Sequence, residues 1–325
     1  MGAEVRAVVH DRYGSPEVLR LAEVPRPTLA AGEVLVEVHR ATVNRSDVAY
    51  RAGTPWVSRA FSGWLGPKRT VSGTEFAGVV VELGEGATRF ALGDRVLGVN
   101  IVHEGTHGEY TAMPELGCIA RLPDHVSFDE GAAVVDGIVL ADNYLADARL
   151  GPQHRICVYG ASGSIGSAAV QLAARHYGAH VTAVTTGATV DLVRSLGADV
   201  VLDHESIDFT RTGDRYDIVL DAVGKRTYWQ CRRALVPRGT YYNSDLGPAW
   251  QNPLLAVATA KLPVRRLGFP LPRYTRARAE LAADLLAGGR YRAVIDRTYA
   301  LDELAEASRY VETGRKVGNV VIAVR

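Results

Sequence analysis

The chain has 325 residues, 47% hydrophobic and 22% charged, with a formal net charge of +1. That length supports two domains with separate cores, and the near-neutral balance gives no electrostatic footprint for nucleic acid or an anionic membrane surface, leaving small-molecule chemistry as the expectation. Cys118, Cys157 and Cys231 are odd in number, far apart and without a CxxC pair, so they outline neither a disulfide framework nor a thiolate zinc site and fit a reducing compartment.

Met1-Gly2-Ala3-Glu4-Val5-Arg6 runs directly into alternating residues without a signal-peptide apolar region. No later stretch reaches about 18 uninterrupted apolar residues. The expectation is a cytoplasmic protein outside the membrane. Residues 5–121 read as short strands between turns: Val34-Leu35-Val36-Glu37-Val38 follows Ala31-Gly32-Glu33, residues 76–83 are β-rich between Gly73 and Gly84, and Gly93-Asp94-Arg95 is a turn. This predicts an all-β unit of barrel type. After Pro123 the period changes. Ser127-Phe128-Asp129-Glu130 has capping-box spacing and opens an alanine-rich run, predicted as one long helix to about residue 150.

Beyond Gly151 the pattern alternates, with strands predicted at 155–159, 180–184, 199–202, 216–220 and 239–243 and helices at 164–177, 189–196 and 226–235. Apolar strands separated by helices of this length predict an α/β fold with a doubly wound parallel sheet. A basic strand-like segment at 262–269, a helix at 275–286 and a strand at 317–324 do not extend that rhythm and are expected to return to the first domain. The predicted boundaries are 1–122, 123–265 and 266–325.

Within this frame, Arg155-Ile156-Cys157-Val158-Tyr159 leads into Gly160-Ala161-Ser162-Gly163-Ser164-Ile165-Gly166 and then an amphipathic run from Ala168. Strand, glycine turn and helix in this order form a pyrophosphate cradle: small residues admit the phosphates, the helix N-terminus presents N–H donors, and Gly166 allows close helix–strand packing. A fold that selects NAD places a carboxylate on the ribose 2′-OH at the end of the following strand. That position reads Val184-Thr185-Thr186-Gly187-Ala188, with no acid before Asp191. The hydroxyls of Thr185 and Thr186 are thus expected to meet a 2′-phosphate, favouring NADPH over NADH, or else simply to end the strand. Arg194 lies too far down the helix to act as the phosphate's cation.

Taken together with Gly32-Glu33-Val34-Leu35-Val36, Ala41-Thr42-Val43-Asn44-Arg45-Ser46-Asp47, Gly73-Thr74-Glu75-Phe76-Ala77-Gly78, Gly93-Asp94-Arg95-Val96, Ser195-Leu196-Gly197-Ala198-Asp199 and the segment 314–321, the chain resembles the medium-chain dehydrogenase/reductase superfamily, in its zinc-less quinone oxidoreductase and enoyl reductase branch. The resemblance spans essentially the whole chain. It implies a GroES-like β-barrel-type catalytic domain and an inserted Rossmann domain, with the cofactor held in the cleft between them. Zinc-dependent relatives carry cysteine at the place of Asn44 and histidine at that of Thr74, and neither replacement can act as the thiolate or imidazole a catalytic zinc needs. No metal is therefore expected. Without a Lewis acid a conjugated acceptor suits the site better than a simple ketone.

The resemblance also assigns residues. Asn44 orients the reacting carbonyl, or closes a turn. Residues 135–143 depart from the family by carrying two acids: Asp136 either faces the cleft, as a proton donor or to repel acidic substrates, or caps a helical turn, and Tyr50, which also offers a flat apolar surface, is the third catalytic candidate. Asn243, Ser244, Asp245 and Leu246 pass the nicotinamide ribose, and Lys316 with Asn319 folds back towards the cofactor phosphate. Trp56, His103 and His107 are candidates for lining the substrate mouth; the two histidines have metal-like spacing but no third ligand. Asp47 and Arg51, one helical turn apart, are expected to pair with each other. The function expected is NADPH-dependent, zinc-independent reduction of a quinone or of the C=C bond of an α,β-unsaturated carbonyl. Its rivals are a zinc-independent ketone/alcohol oxidoreductase and a non-catalytic NADP(H)-binding protein. Residues 262–269 resemble the edge strand through which relatives pair, implying a homodimer.

Overall fold

The computed structural model describes residues 4–260, 262 and 264–325. The readings that rest on Met1, Gly2 and Ala3, and on Pro263 within the 262–269 segment, fall outside the described residues. The chain divides into two compact units, one formed by Met1–Asp136, Tyr274–Gly289 and Ala293–Arg325, the other by Gly137–Arg273 and Arg290–Arg292.

The first unit is built on a seven-stranded sheet in the order Ile295–Ala300, Asn319–Ala323, Glu33–Val43, Glu75–Leu83, Arg95–Val99, Cys118–Arg121, with Tyr110–Pro114 also paired to Glu33–Val43. Glu33–Val43 is the spine: it pairs antiparallel with three neighbours, and Val34, Val36, Val38, Ala41 and Val43 are all buried. The other strands of the sheet contribute Phe76, Val80, Val96, Ile119, Val320 and Ile322 to the same core. Burying side chains of this size stabilises by roughly 1.5–3 kcal/mol each, which holds the sheet against the chain entropy lost. A separate hairpin pairs Glu4–Val9 with Arg20–Pro25.

The second unit carries a six-stranded sheet, all parallel, in the order Val200–Asp203, His180–Thr185, Arg155–Tyr159, Tyr216–Asp221, Leu235–Asn243, Arg266–Gly268. Numbered from Arg155–Tyr159 the order is 3-2-1-4-5-6, the doubly wound arrangement, whose strand order reverses between Arg155–Tyr159 and Tyr216–Asp221. Its central strands are buried along nearly their whole length, because helices cover both faces of such a sheet.

Several local expectations are corrected. The long helix after Ser127 is two helices, Phe128–Ala132 and Val135–Asp147, although the Ser127–Glu130 capping box forms as read. The helix expected to run to residue 177 is α-helical only over Ser164–Gln171, and Leu172–His176 continues it as a π-type turn. Among the described residues the basic edge segment contributes Arg266–Gly268 to the sheet.

Candidate functional site

The glycine loop lies at the carboxyl end of Arg155–Tyr159, at the point where the strand order reverses, which is where doubly wound sheets bind ligands. Gly160 turns the chain with φ +79, and a Cβ on Gly166 would lie 2.1 Å from the Gly160 carbonyl oxygen. Only glycine fits there. Helix Ser164–Gln171 starts from Gly163 with no side-chain cap, so its first-turn amides point into the loop with no local acceptor from a capping side chain. Loop and helix therefore fit a pyrophosphate: the backbone of residues 160–166 would cradle it and the helix dipole would favour its charge.

At the end of the next strand the two threonines part company. Thr185 is 2% exposed and its hydroxyl is engaged by Thr189, which departs from the expectation that it is open to a phosphate; Thr186 is half-buried and shares the Thr189 hydroxyl at 3.1 Å. Sequence reading also missed a carboxylate here. Asp203 pairs in register with Thr185 from the neighbouring strand, and one of its carboxylate oxygens lies 3.1 Å from where a Cβ on Gly187 would stand. The search along one strand could not see an acid delivered by the next. Arg194 is held by Asp191 at 2.7 Å. Asn243 is buried, donating to the Arg226 carbonyl and the Tyr241 hydroxyl and accepting from Asp245 N–H, so it shapes the turn that carries Ser244, Asp245 and Leu246.

In the first unit the structure gathers a buried acidic cluster. Helix Arg45–Ala52 opens with a capping box: the Asn44 side chain accepts from Asp47 N–H at 2.9 Å, and the Asp47 carboxylate accepts from Asn44 N–H at 2.9 Å. The Asn44 amide also donates to Thr74 Oγ1 at 3.4 Å. Asp47 thus closes the helix start, and Arg51 pairs with Glu312 rather than with Asp47. Glu75, 1% exposed, accepts from the Thr42 hydroxyl at 2.6 Å and from Asp136 N–H at 2.8 Å. Asp136, 7% exposed, accepts a hydrogen bond from the Tyr274 hydroxyl at 2.8 Å.

These groups shift one another. Burial, then the charge of Asp136, pushes Glu75 up to about 8. Burial raises Asp47 to about 8, opposed by its hydrogen bond from Asn44, and raises Asp136 against the Tyr274 hydrogen bond. Burial raises Tyr50, whose hydroxyl also feels Glu104, Asp47 and Asp136. Desolvation of the Lys316 ammonium lowers it to about 8, although Glu75, Asp296 and Asp136 all attract it. Lys316, expected near a cofactor phosphate, thus stands among carboxylates and donates to the Gly318 carbonyl. Asn319 is buried and spends its amide on the carbonyls of Ala133 and Val294. Tyr274 carries no sequence pattern that marks it, and Glu75 stands in a recognised motif that does not foretell its partner; they meet Asp136 because separate segments converge.

The remaining candidates lie elsewhere in this unit. His107 is 1% exposed, with Nδ1 3.0 Å from the Ser72 hydroxyl and Nε2 2.9 Å from the Thr42 carbonyl, and burial lowers it to about 4, so it is a neutral internal strut rather than part of a mouth. His103 meets Glu33 at 2.6 Å on the wall of a cavity of about 450 Å³ that Glu104, Lys68, Arg69 and Tyr110 also line. Trp56 is 56% exposed and stacks at an angle on Trp64, ring centres 5.9 Å apart. Among the described residues no group of three or more His, Cys, Asp or Glu side chains could hold a metal ion. The donor set does not fit zinc: at the positions in question stand the Asn44 amide and the Thr74 hydroxyl, and Glu75 is already spent on Thr42 and Asp136. No helix of the described residues is long and apolar enough to cross a membrane.

Residues 30–134 match the alcohol dehydrogenase GroES-like domain and residues 196–322 the zinc-binding dehydrogenase family. The chain is 31% identical to a 2-methylene-furan-3-one reductase of Solanum lycopersicum, over 98% of this chain and 79% of that one. It is 28% identical to an NADPH-dependent alkenal/one oxidoreductase, chloroplastic, of Arabidopsis thaliana, over 98% and 79% of the two chains. The fold superposes on a quinone oxidoreductase from Coxiella burnetii with a TM-score of 0.88 at 25% identity, covering 99% of this chain and all of the other.

Proposed function

The chain belongs to the medium-chain dehydrogenase/reductase superfamily of oxidoreductases, and from that premise we propose that it is an NADPH-dependent reductase of conjugated carbonyls and quinones working without zinc. The observation that carries this is the glycine loop at the strand-order reversal, with an uncapped helix behind it and no room for a side chain at Gly166. When bound, the reduced nicotinamide supplies a hydride; residues 160–166 hold its pyrophosphate, and the turn 243–246 supports its ribose. Relatives whose names specify alkenal, methylene-furanone and quinone substrates support the acceptor class. So does the amide and hydroxyl pair of Asn44 and Thr74, which can donate to a carbonyl oxygen but cannot bind a Lewis acid.

NADPH is the cofactor by this reading, with Thr186 facing the 2′-phosphate and Asp203 nearby limiting the preference. Association through the sheet edge at Arg266–Gly268 into a homodimer, and a cytoplasmic location, complete the proposal; elution at monomer mass in gel filtration rules out the dimer. The functional reading is tested by titrating the protein with NADPH while following nicotinamide fluorescence, then adding a quinone, an enone and the matching saturated ketone. Consumption with the first two and not the third is expected. Binding without consumption across a broad acceptor panel overturns it.

A further inference from the structure

Tyr274 stands where the chain re-enters the first unit, just ahead of helix Arg276–Ala287. The residue is half-buried, and burial with the Asp136 charge pushes its phenol well above the usual range; the carboxyls it meets are sealed, Asp136 and Glu75 being 7% and 1% exposed. Tyr274 and Glu75 both bond to Asp136, the first at its carboxyl and the second at its backbone amide. The phenol donates to Asp136 Oδ1 at 2.8 Å, Asp136 N–H donates to Glu75 Oε1 at 2.8 Å, and the Thr42 hydroxyl holds Glu75 Oε2 at 2.6 Å. The Lys316 ammonium is drawn to both carboxyls, Asp296 also favours its charge and Arg45 opposes it. Asp47, Tyr50, Glu104 and Cys118 also face the cluster.

The carboxyls of Asp47, Glu75 and Asp136, gathered out of water with one ammonium, cannot all ionise, because each uncompensated buried charge costs several kcal/mol. The cluster therefore stores a proton at neutral pH. A phenol hydrogen-bonded to that store, on a residue less buried than the carboxyls, is the group placed to pass the proton out.

We propose that Tyr274 is the catalytic proton donor of alkene reduction and that Asp136, backed by Glu75 and Lys316, reprotonates it. The inference rests on the reductase reading above. Hydride arriving at the β-carbon of an enone pushes the C=C electron pair onto the carbonyl oxygen as an enolate. The enolate then forms a C–H bond at its α-carbon as the Tyr274 O–H bond breaks. With Asp136 protonated, its 2.8 Å contact to the phenol reverses: the acid O–H donates to the phenol oxygen, the phenol hydrogen turns to the acceptor, and the acid proton crosses as that hydrogen leaves. Once product has left, a solvent proton returns through the Tyr274 phenol and restores Asp136. In sum, one hydride and one proton add across the double bond, the nicotinamide loses two electrons and the enone gains them. A quinone needs the donor less, since its protons go to oxygen, where water delivers them readily.

The test uses the full chain with Tyr274→Phe and, as a variant that keeps a hydrogen-bond acceptor for the phenol, Asp136→Asn. A positioned general acid is worth roughly 10²–10⁴-fold, so the ratio of enone to quinone turnover should fall at least about a hundredfold in Y274F. In D2O the wild-type product should carry deuterium on one face of the α-carbon, and the Y274F product on both, as read by NMR. Infrared spectra of the cofactor-free protein at neutral pH should show a carboxylic acid carbonyl band that weakens in D136N and shifts in Y274F. An unchanged turnover ratio with single-face deuteration in Y274F overturns the donor assignment, and a carbonyl band indifferent to both substitutions overturns the proton store. If NADPH is oxidised with no acceptor of either class, the reductase reading itself fails, whatever the infrared band shows.

Discussion

Substituting the glycines of the phosphate loop separates packing from ligand contact. A Cβ at Gly166 would sit 2.1 Å from the Gly160 oxygen and 2.8 Å from the Ala161 Cα, and since ordinary contact begins at 3.4 Å, helix and loop would have to move apart by more than about 1 Å. Overpacking of this kind costs typically 1–3 kcal/mol, so Gly166→Ala should lower thermal stability and cofactor affinity together. Gly163 is different. Its φ is −77, and a Cβ there would have only the Gly160 oxygen nearby, at 3.6 Å, so Gly163→Ala should fold as the wild type does. If the pyrophosphate lies against the loop, the added methyl occupies its place and breaks charge-assisted hydrogen bonds worth about 1.5–3 kcal/mol, or roughly 10–100-fold in Kd. The assays are thermal denaturation without cofactor and fluorescence titration with NADPH. A Gly163→Ala protein of wild-type melting temperature that still binds NADPH with wild-type affinity would refute the placement of the cofactor.

Two further outcomes follow from the geometry. Asp47 and Glu75 stand near 8 in the fold against 3.8 and 4.5 when unperturbed, so between those limits the folded chain holds protons that the unfolded chain has released. Their contribution to stability is therefore full below about pH 4 and lost as pH rises towards about 8; urea unfolding across that range should show the decline, and Glu75→Gln should flatten it, whereas an unchanged slope contradicts the buried-acid reading. At the second strand end, Asp203 beside Gly187 should repel a 2′-phosphate: at contact distances in water each charge pair is worth about 1 kcal/mol, so Asp203→Ser should tighten NADPH about fivefold and leave NADH nearly unchanged in parallel titrations. Equal effects on both cofactors would place Asp203 away from the phosphate.

The parallel sheet was legible because its signal is local: apolar runs of strand length, each followed by a helix, and a glycine loop at the first turn. Helix ends were less so, since the break at Ala133-Val134 and the π-type turn at Leu172–His176 interrupt runs whose composition alone continues. At the site, Asn44 and Asp136 could be singled out from motif position, yet their surroundings could not. Asn44 caps a helix because Asp47 lies at N3, a reciprocal bond visible only in retrospect from the Asn-x-x-Asp spacing. Asp136 gains its character from Glu75, Tyr274 and Lys316, which sit 61, 138 and 180 positions away along the chain and meet it only through tertiary folding. Asp203 escaped for the same reason, arriving by strand register. Lys316 read as a cation for the cofactor phosphate because its motif position implied it; here its ammonium is drawn to carboxylates brought in by other segments.

The most direct test of the proposed chemistry follows the hydrogen itself. NADPH carrying deuterium at the transferred position should yield, from an α,β-unsaturated ketone, a saturated ketone with the label on its β-carbon. Label on the carbonyl carbon of an allylic alcohol, or no transfer from tightly bound cofactor to any conjugated acceptor, would contradict the account.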